Sequence, residues 1–151
     1  ESAEEMYRAV LSEYDRSDIA IMCAAVADYA PETVSDVKLK RTGEDRILRL
    51  RPNPDIAAEL GRRKRPGQCL VGFALETNDE DMNARLKMEK KNLDFIVLNS
   101  LRDAGAGFQC DTNKVTVIGK QGEPVEIPCK PKIAVAADIV DIIGRYVSED
   151  R

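Results

Sequence analysis

The sequence predicts an α/β fold in which a parallel sheet lies between two layers of helices, with a β-hairpin and a helix added at the C-terminal end. Apolar runs at 19–26, 69–74 and 93–98 alternate with segments of helical apolar spacing, a pattern typical of β-α-β units with right-handed crossovers. Two short strand-like segments, Lys114–Ile118 and Pro124–Ile127, flank a polar turn and indicate a hairpin.

The first helix and strand set the order of the fold. Ser2 begins a capping box, and a helix is expected to run to about Tyr14. The next run, Ile19–Val26, is rich in branched and small apolar residues and predicts a strand buried on both faces of the sheet. Asp28 and Tyr29 follow its carboxyl end, where α/β sheets bind ligands.

The middle of the chain begins with a polar and basic loop at 30–46. The alternation in Ile47–Arg51 predicts a short strand. Asn53 and Pro54 suit the N-cap and first position of a second helix, which should end near Pro66.

Two further helices complete the chain. The third, about Glu80–Lys91, should turn Met82, Leu86 and Met88 inward, and 104–108 is expected to be a flexible loop. The last helix should begin at Pro131. Its predicted inward stripe is Ile133, Ala136, Ala137, Val140 and Ile143.

Length and composition favour one globular domain over residues 1–151. The net charge of -4 and the 5% aromatic content give no support for general nucleic-acid binding. The four cysteines are scattered and the chain has no histidine, which argues against a zinc site. Cys23 and Cys69 are expected to be small core residues of a reduced, cytosolic chain. No apolar run reaches the length of a membrane span, and the acidic opening helix differs from a signal peptide.

Asp28 and Lys38 are the first candidate site residues. An acid at a strand tip, followed by a lysine on the next loop, suits a phosphate chain and its metal ion. The simpler interpretations are a polar strand end for Asp28 and a solvated surface lysine for Lys38. Lys40 and Arg41 would then add only local positive potential.

The remaining candidates also have simple structural explanations. Helix capping is sufficient for the segment 53–56, and Phe73 fits a core position. Lys87 and Lys91 share one helix face near the C-terminus, where the helix dipole favours cations.

Five motifs, in order between Ala24 and Asn92, resemble phosphopantothenate–cysteine ligase, the C-terminal part of the bifunctional coenzyme A biosynthesis flavoprotein CoaBC (also called Dfp), and the resemblance as a whole extends over nearly all of the chain, from Ala3 to Val147. The motifs are Ala24-Ala25-Val26-Ala27-Asp28-Tyr29, Lys38-x-Lys40-Arg41, Asn53-Pro54-Asp55-Ile56, Gly72-Phe73-Ala74-x-Glu76-Thr77 and Lys87-x-x-x-Lys91-Asn92.

This resemblance implies a Rossmann-like three-layer fold and a nucleotide site. Lys38 would be catalytic and contact the triphosphate, and Asp28 would hold Mg²⁺. The other nucleotide-binding positions that the resemblance implies are Ala24, Asn53, Pro54, Asp55, Ile56, Phe73, Lys87 and Lys91. The GxGxxG fingerprint is absent, which argues against an NAD-dependent oxidoreductase.

The implied reaction joins 4′-phosphopantothenate to L-cysteine through an acyl-cytidylate formed from CTP, and the Ala-Val-Ala-Asp-Tyr and Asn-Pro-Asp-Ile motifs favour CTP over ATP. The family is dimeric, with the predicted hairpin as one candidate interface. FMN is expected only on a fused phosphopantothenoylcysteine decarboxylase domain outside this chain.

The family's ligase domain begins earlier, with a first strand and a Gly-rich turn that this chain does not contain. We therefore expect residues 1–151 to be its C-terminal portion, with weak nucleotide binding and little or no ligase activity alone. The alternative is a non-catalytic nucleotide-binding or interaction domain of the same fold.

Overall fold

The computed structural model describes residues 1–43, 45–76, 80–100 and 110–149. The helices in this part of the chain are α1 (Ala3–Tyr14), α2 (Ile56–Arg63), α3 (Glu80–Lys90) and α4 (Lys132–Glu149). The strands are β1 (Ile19–Met22), β2 (Tyr29–Pro31), β3 (Leu50–Pro52), β4 (Cys69–Glu76), β5 (Phe95–Ser100), β6 (Thr112–Gly119) and β7 (Val125–Pro131).

Five strands form one mixed sheet in the order β1-β4-β5-β6-β7. The first three are parallel, with Ile19 beside Cys69 and Val71 beside Phe95. Strands β6 and β7 add as an antiparallel hairpin, while β2 and β3 pair separately. The predicted α/β class, with a Rossmann-like parallel part and an added hairpin and helix, is confirmed.

The sheet separates two apolar clusters and so forms the middle layer of a three-layer sandwich. On one face, Leu70 and Ile96 of the sheet pack with Tyr14, Leu60 and Met88 of helices α1, α2 and α3. On the other face, α4 packs against β6 and β7, and its buried residues form one cluster with side chains of β4 to β7. No helix in the described ranges has the length and apolarity needed to cross a membrane.

Strand β1 differs from the prediction in length and in burial. It ends at Met22, and Ile19 and Ile21 are 39% and 37% exposed. The prediction of a strand buried on both faces is therefore wrong in this structure. The reason is its place at the sheet edge, where Ala20 and Met22 meet the core but α4 lies over the opposite half of the sheet. Cys23, just beyond β1, is exposed rather than in the core, whereas Cys69 is buried as expected.

The inward faces of the last two helices were also predicted incorrectly in part. In α3, Met88 is buried, but Met82 and Leu86 are exposed and Ala84 takes the inward place. In α4, the predicted stripe contributes only Ile143, because the sheet covers the adjacent stripe that Val135 and Ile139 share with it. The other predicted members of the stripe are exposed: Ile133, Ala136, Ala137 and Val140.

The shorter elements differ less from the sequence predictions. Strand β3 begins at Leu50, so the predicted strand at Ile47–Arg51 is shifted, and its partner β2 was not predicted. Helix α2 begins at Ile56 with Asp55 as N-cap, two residues later than the predicted N-cap at Asn53 and first helical position at Pro54. The predicted flexible loop at 104–108 lies outside the described residues.

Asp94 is a buried charged residue that joins several elements at the amino-terminal edge of the parallel strands. Its carboxylate lies 2.7 Å from the Lys64 amine and 3.0 Å from the Lys120 amine, and it accepts a 2.8 Å hydrogen bond from the Leu70 N–H. Burial raises the pKa of Asp94, but these three hydrogen bonds outweigh it and hold the pKa below its usual range.

We expect Asp94→Asn to lower the free energy of unfolding at pH 7 by about 3 kcal/mol, because breaking a buried ion pair leaves Lys64 without its compensating charge. Urea denaturation followed by circular dichroism measures this. The control is Asp138→Asn, which removes the partner of the partly exposed Lys130 and should cost less than about 1 kcal/mol.

Wild type and Asp94→Asn also test how stability depends on the pKa of Asp94. The folded pKa of Asp94 lies below the unfolded value of about 3.9, so its contribution is present above about pH 4 and is lost as the pH falls through the folded pKa. The difference between wild type and Asp94→Asn should therefore shrink in acid. A difference that stays constant from about pH 7 to pH 2 would contradict this account.

Candidate functional site

A cavity of about 500 Å³ lies at the carboxyl ends of β1 and β4, beside the start of α2. This is the edge of a parallel sheet at which α/β folds bind their ligands. The cavity walls come from four segments of the chain: the residues after β1, the entry to α2, the second half of β4, and the end of α3 with the turn that follows.

The segment from Ala24 to Asp28 forms one wall and has no regular secondary structure. Asn53 fixes it at two points. Its side-chain amide donates to the Ala27 carbonyl at 2.8 Å, and its backbone N–H donates to the Asp28 carbonyl at 2.8 Å. The alanines present little side-chain bulk, so a ligand can approach the backbone closely along this wall.

The start of α2 forms the second wall. The Asp55 carboxylate accepts a hydrogen bond from the Ala58 N–H at 3.1 Å and thereby caps the helix. Ile56 and Ala57, which begin the helix, both line the cavity. The N–H groups of a first helical turn have no intrahelical partner and carry partial positive charge, which favours an anion or a polar base edge.

Lys87 and Lys91 bring positive charge to the opposite wall. The Lys91 amine lies 2.9 Å from the Asp55 carboxylate, which joins the turn after α3 to the N-cap of α2. Burial raises the pKa of Asp55, but the hydrogen bond from Lys91 and the Ala58 N–H outweigh it, and the pKa lies below its usual range. At neutral pH the Asp55 carboxyl is therefore ionised, and a bound anion would compete with it for Lys91.

The structure brings nine of the ten predicted site residues to this one cavity. These nine are Ala24, Asp28, Asn53, Pro54, Asp55, Ile56, Phe73, Lys87 and Lys91. Lys38 is the exception: it is exposed on the irregular segment between β2 and β3 and does not line the cavity. Whether these residues act on a ligand stays a prediction.

Some details of the site were not predicted. The prediction of Asn53 as the N-cap of α2 is wrong, because its side-chain amide donates to the Ala27 carbonyl and Asp55 takes the capping position. Phe73 is half-buried: it packs against the α4-side cluster and also lines the cavity. Leu75 of β4 and Leu93, two residues before β5, line the cavity as well, and as ordinary apolar residues they gave no signal in the sequence.

Asp28 and Asp55 both line the cavity, but Asp55 already caps α2 and pairs with Lys91, so a divalent cation would be held by Asp28 rather than by a protein cage. Among the described residues no group of three or more histidines, cysteines or acids is placed to hold a metal. Asp28 is exposed at the wall of the cavity. One carboxylate with ligand phosphates and waters is the usual environment of Mg²⁺, so the residues fit an ion that arrives with a phosphorylated ligand.

Residues 1–146 match the family described as DNA/pantothenate metabolism flavoprotein C-terminal domain. A cysteine/cysteine sulfinic acid decarboxylase from an unknown prokaryotic organism is 52% identical over 139 residues, which are 92% of this chain and 39% of that protein. The coenzyme A biosynthesis bifunctional protein CoaBC of Bacillus subtilis (strain 168) is 48% identical over 144 residues, 95% of this chain and 35% of that protein.

A solved structure of the C-terminal domain of a coenzyme A biosynthesis bifunctional protein CoaBC superposes with a TM-score of 0.79 at 35% identity. The match covers 99% of this chain and 64% of that one. The chain thus spans little more than a third of these two curated relatives and just under two thirds of the solved domain.

We expect Asn53→Asp to loosen the wall at Ala24–Asp28, because the carboxylate cannot donate to the Ala27 carbonyl and places an acceptor against it. The free energy of unfolding should fall by about 1 kcal/mol or more. Amide exchange in this segment should become faster, while amides of β5 keep their wild-type rates. Unchanged exchange at 24–28 would show that Asn53 does not hold the wall.

Proposed function

The chain belongs to the DNA/pantothenate metabolism flavoprotein C-terminal domain family, and from this premise we propose that it carries the nucleotide site of a CTP-dependent phosphopantothenate–cysteine ligase. The observation that supports this most is the convergence of nine predicted residues, from distant parts of the chain, on one cavity at the ligand-binding edge of the sheet. The CoaBC names of relatives at 48% and 35% identity agree with it.

The proposed reaction has two steps. A carboxylate oxygen of 4′-phosphopantothenate attacks the α-phosphorus of CTP; the bond to the bridging oxygen breaks, and pyrophosphate leaves. The amine of L-cysteine then attacks the acyl carbon of the acyl-cytidylate, loses a proton and displaces CMP. The product is 4′-phosphopantothenoylcysteine, so the chain would serve coenzyme A biosynthesis in the cytoplasm.

The residues of the cavity suit the nucleotide part of this reaction. Lys87 and Lys91 would bind the triphosphate, and the start of α2 with the 53–56 segment would receive the ribose and base. Asp28 would hold Mg²⁺, which when bound neutralises part of the triphosphate charge. The small side chains at Ala24, Ala25 and Ala27 leave room for the nucleotide beside the backbone.

Lys38 requires a movement in this proposal. It lies on the segment between β2 and β3, outside the cavity lining. We propose that this exposed segment folds over bound nucleotide, so that the Lys38 amine reaches the phosphates and stabilises charge as pyrophosphate leaves. An ammonium group suits this task, since it is a compact charge on a flexible stem.

The decarboxylase name of the 52% identical relative is not carried over to this chain. The match covers 39% of that protein, and the bifunctional CoaBC relatives match over a similar share. In our proposal the decarboxylase, with its FMN, is a fused or partner domain. Binding of phosphopantothenate would draw on parts of the relatives that this chain does not span.

A non-catalytic nucleotide-binding domain is the second candidate, and the position of Lys38 outside the cavity favours it. The two candidates differ in metal dependence. A ligase site should prefer Mg²⁺–CTP, whereas a domain with a degraded site should show no metal-dependent preference for a triphosphate.

We expect isothermal titration with CTP and Mg²⁺ to show binding that Lys91→Ala weakens about tenfold, because a hydrogen bond from a charged group is lost. Lys38→Ala should weaken binding as well. ATP should bind less tightly than CTP, and chelation of Mg²⁺ should reduce the affinity. The control is Lys132→Ala, an exposed lysine at the start of α4 and outside the cavity.

Equal affinity of Lys91→Ala and wild type for CTP would contradict the assignment of this cavity. Binding that is indifferent to Mg²⁺ would favour the non-catalytic domain. We expect the 151-residue chain to show little turnover with all three substrates, and robust turnover would contradict the view that further parts of the relatives are needed.

We also propose a homodimer in which the segment between β2 and β3 forms the contact. Apolar side chains there are strongly exposed, Ile47 at 93% and Val34 at 86%, which is typical of a surface that another chain covers. The predicted hairpin interface is less favourable, because β6 is paired on both sides and only β7 presents an edge.

We expect Ile47→Lys to shift the chain from dimer to monomer in sedimentation velocity, since a charge at an apolar interface opposes association. The companion variant is Ile133→Lys, at an exposed apolar position of α4. It should leave the dimer intact. The reverse result would place the contact on α4, and a monomeric wild type at all concentrations would contradict the dimer.

A further inference from the structure

Helix α2 approaches the turn after α3 more closely than any side chain larger than hydrogen permits. A Cβ atom on Gly61 would lie 1.8 Å from the Lys91 carbonyl oxygen and 2.8 Å from its carbonyl carbon. Both are backbone atoms, so no side-chain rotation relieves the contact. The position of Lys91 relative to α2 thus depends on glycine at position 61.

Asn92 holds the turn in this place. Its φ angle is +50°, which Asn tolerates better than most residues, and its side-chain amide donates to the Gly61 carbonyl at 2.9 Å. The Asn92 side-chain oxygen accepts from the Lys120 amine at 3.1 Å, and its backbone carbonyl accepts from the Lys64 amine at 2.7 Å. The turn is therefore fixed from α2, from the residue after α2, and from the β6–β7 turn.

These contacts determine where the Lys91 amine lies. The Lys91 backbone is held at Gly61, in the second half of α2, while its amine reaches Asp55 at the start of the same helix. Six positions separate Gly61 from Asp55, or about 9 Å along a helix axis. The Lys91 side chain therefore runs back along α2 into the cavity, and its reach depends on where its backbone is placed.

We propose that Gly61 and Asn92 are positioning residues of the nucleotide site, which set the depth at which Lys91 enters the cavity. Neither residue lines the cavity, so each acts through Lys91. The part of the inference that concerns nucleotide affinity rests on the proposed function. The part that concerns the placement of Lys91 against Asp55 does not.

The first experiment compares Gly61→Ala with Gly144→Ala. Both glycines lie within helices, but a Cβ on Gly144 meets nothing within 4 Å. We expect Gly61→Ala to weaken Mg²⁺–CTP binding about tenfold in isothermal titration, because the Lys91 amine is withdrawn from the phosphates. Gly144→Ala should bind as the wild type does. Titrations are made at a temperature where circular dichroism shows each variant to be folded.

A double-mutant cycle separates positioning from general destabilisation. If Gly61 acts through Lys91, then adding Gly61→Ala to Lys91→Ala should cause no further loss of CTP affinity. A loss of the same size in both backgrounds would overturn the proposal, because it would show that Gly61 affects the site by another route.

A second readout needs no nucleotide. The Asp55 carboxyl is followed by NMR through a pH titration. Loss of the Lys91 contact in Gly61→Ala should raise its pKa relative to wild type, while Gly144→Ala leaves the pKa unchanged. If wild type fails to bind CTP, the proposed function fails, and this titration alone decides the positioning role.

Asn92→Gly covers the case in which Gly61→Ala does not fold. Glycine keeps the positive φ but removes the hydrogen bonds to Gly61 and Lys120. Asn92→Gly should, like Gly61→Ala, raise the Asp55 pKa and weaken CTP binding. Wild-type values of both quantities in a folded Asn92→Gly or Gly61→Ala protein would overturn the proposal.

Discussion

The buried carboxylate of Asp94 is the interaction on which the arrangement of the other elements depends. Through its side chain and backbone it contacts Lys64 after α2, Leu70 on β4 and Lys120 after β6. A charge in this place is stabilising only while its partners remain, since each ion would otherwise be buried without compensation. The ends of three elements are thereby held together at the amino-terminal edge of the parallel strands.

The carboxyl-terminal edge of the parallel strands, where the cavity lies, is connected to Asp94 and its partners through one short stretch of chain. Residues 91–94 contain Lys91, which enters the cavity, and Asp94, which lies at the opposite edge. Helix α2 also runs from the cavity to the Asp94 contacts, with Asp55 at its start and Lys64 just past its end. The cavity is thus built on a helix whose two ends are each fixed by a lysine–carboxylate pair, which keeps its walls in place without a ligand.

The sequence predicted the parallel strands and the hairpin from local patterns, whereas most of the candidate site residues were identified through the family resemblance and their role stays a prediction. Long apolar runs define β4 and β5, and the motif residues converge because strand ends and helix starts meet at one edge. The inward faces of α3 and α4 could not be predicted, since α4 carries two apolar stripes and only the sheet decides which is covered. The exposure of β1 and the Asp94 cluster depend on contacts between distant segments, which single residues do not reveal.

Gly61 also has a consequence for the local stability of the helix that carries the site. Glycine within a helix costs about 1 kcal/mol relative to alanine, and a helix of eight residues is too short to persist in water alone. The close approach to Lys91 is therefore gained at the expense of intrinsic helicity. Helix α2 is therefore stabilised mainly by tertiary contacts: its Asp55 cap, the burial of Ile56 and Leu60, and the ion pairs of Lys64 and Lys91 with carboxylates. Order at the site thus depends on the whole fold.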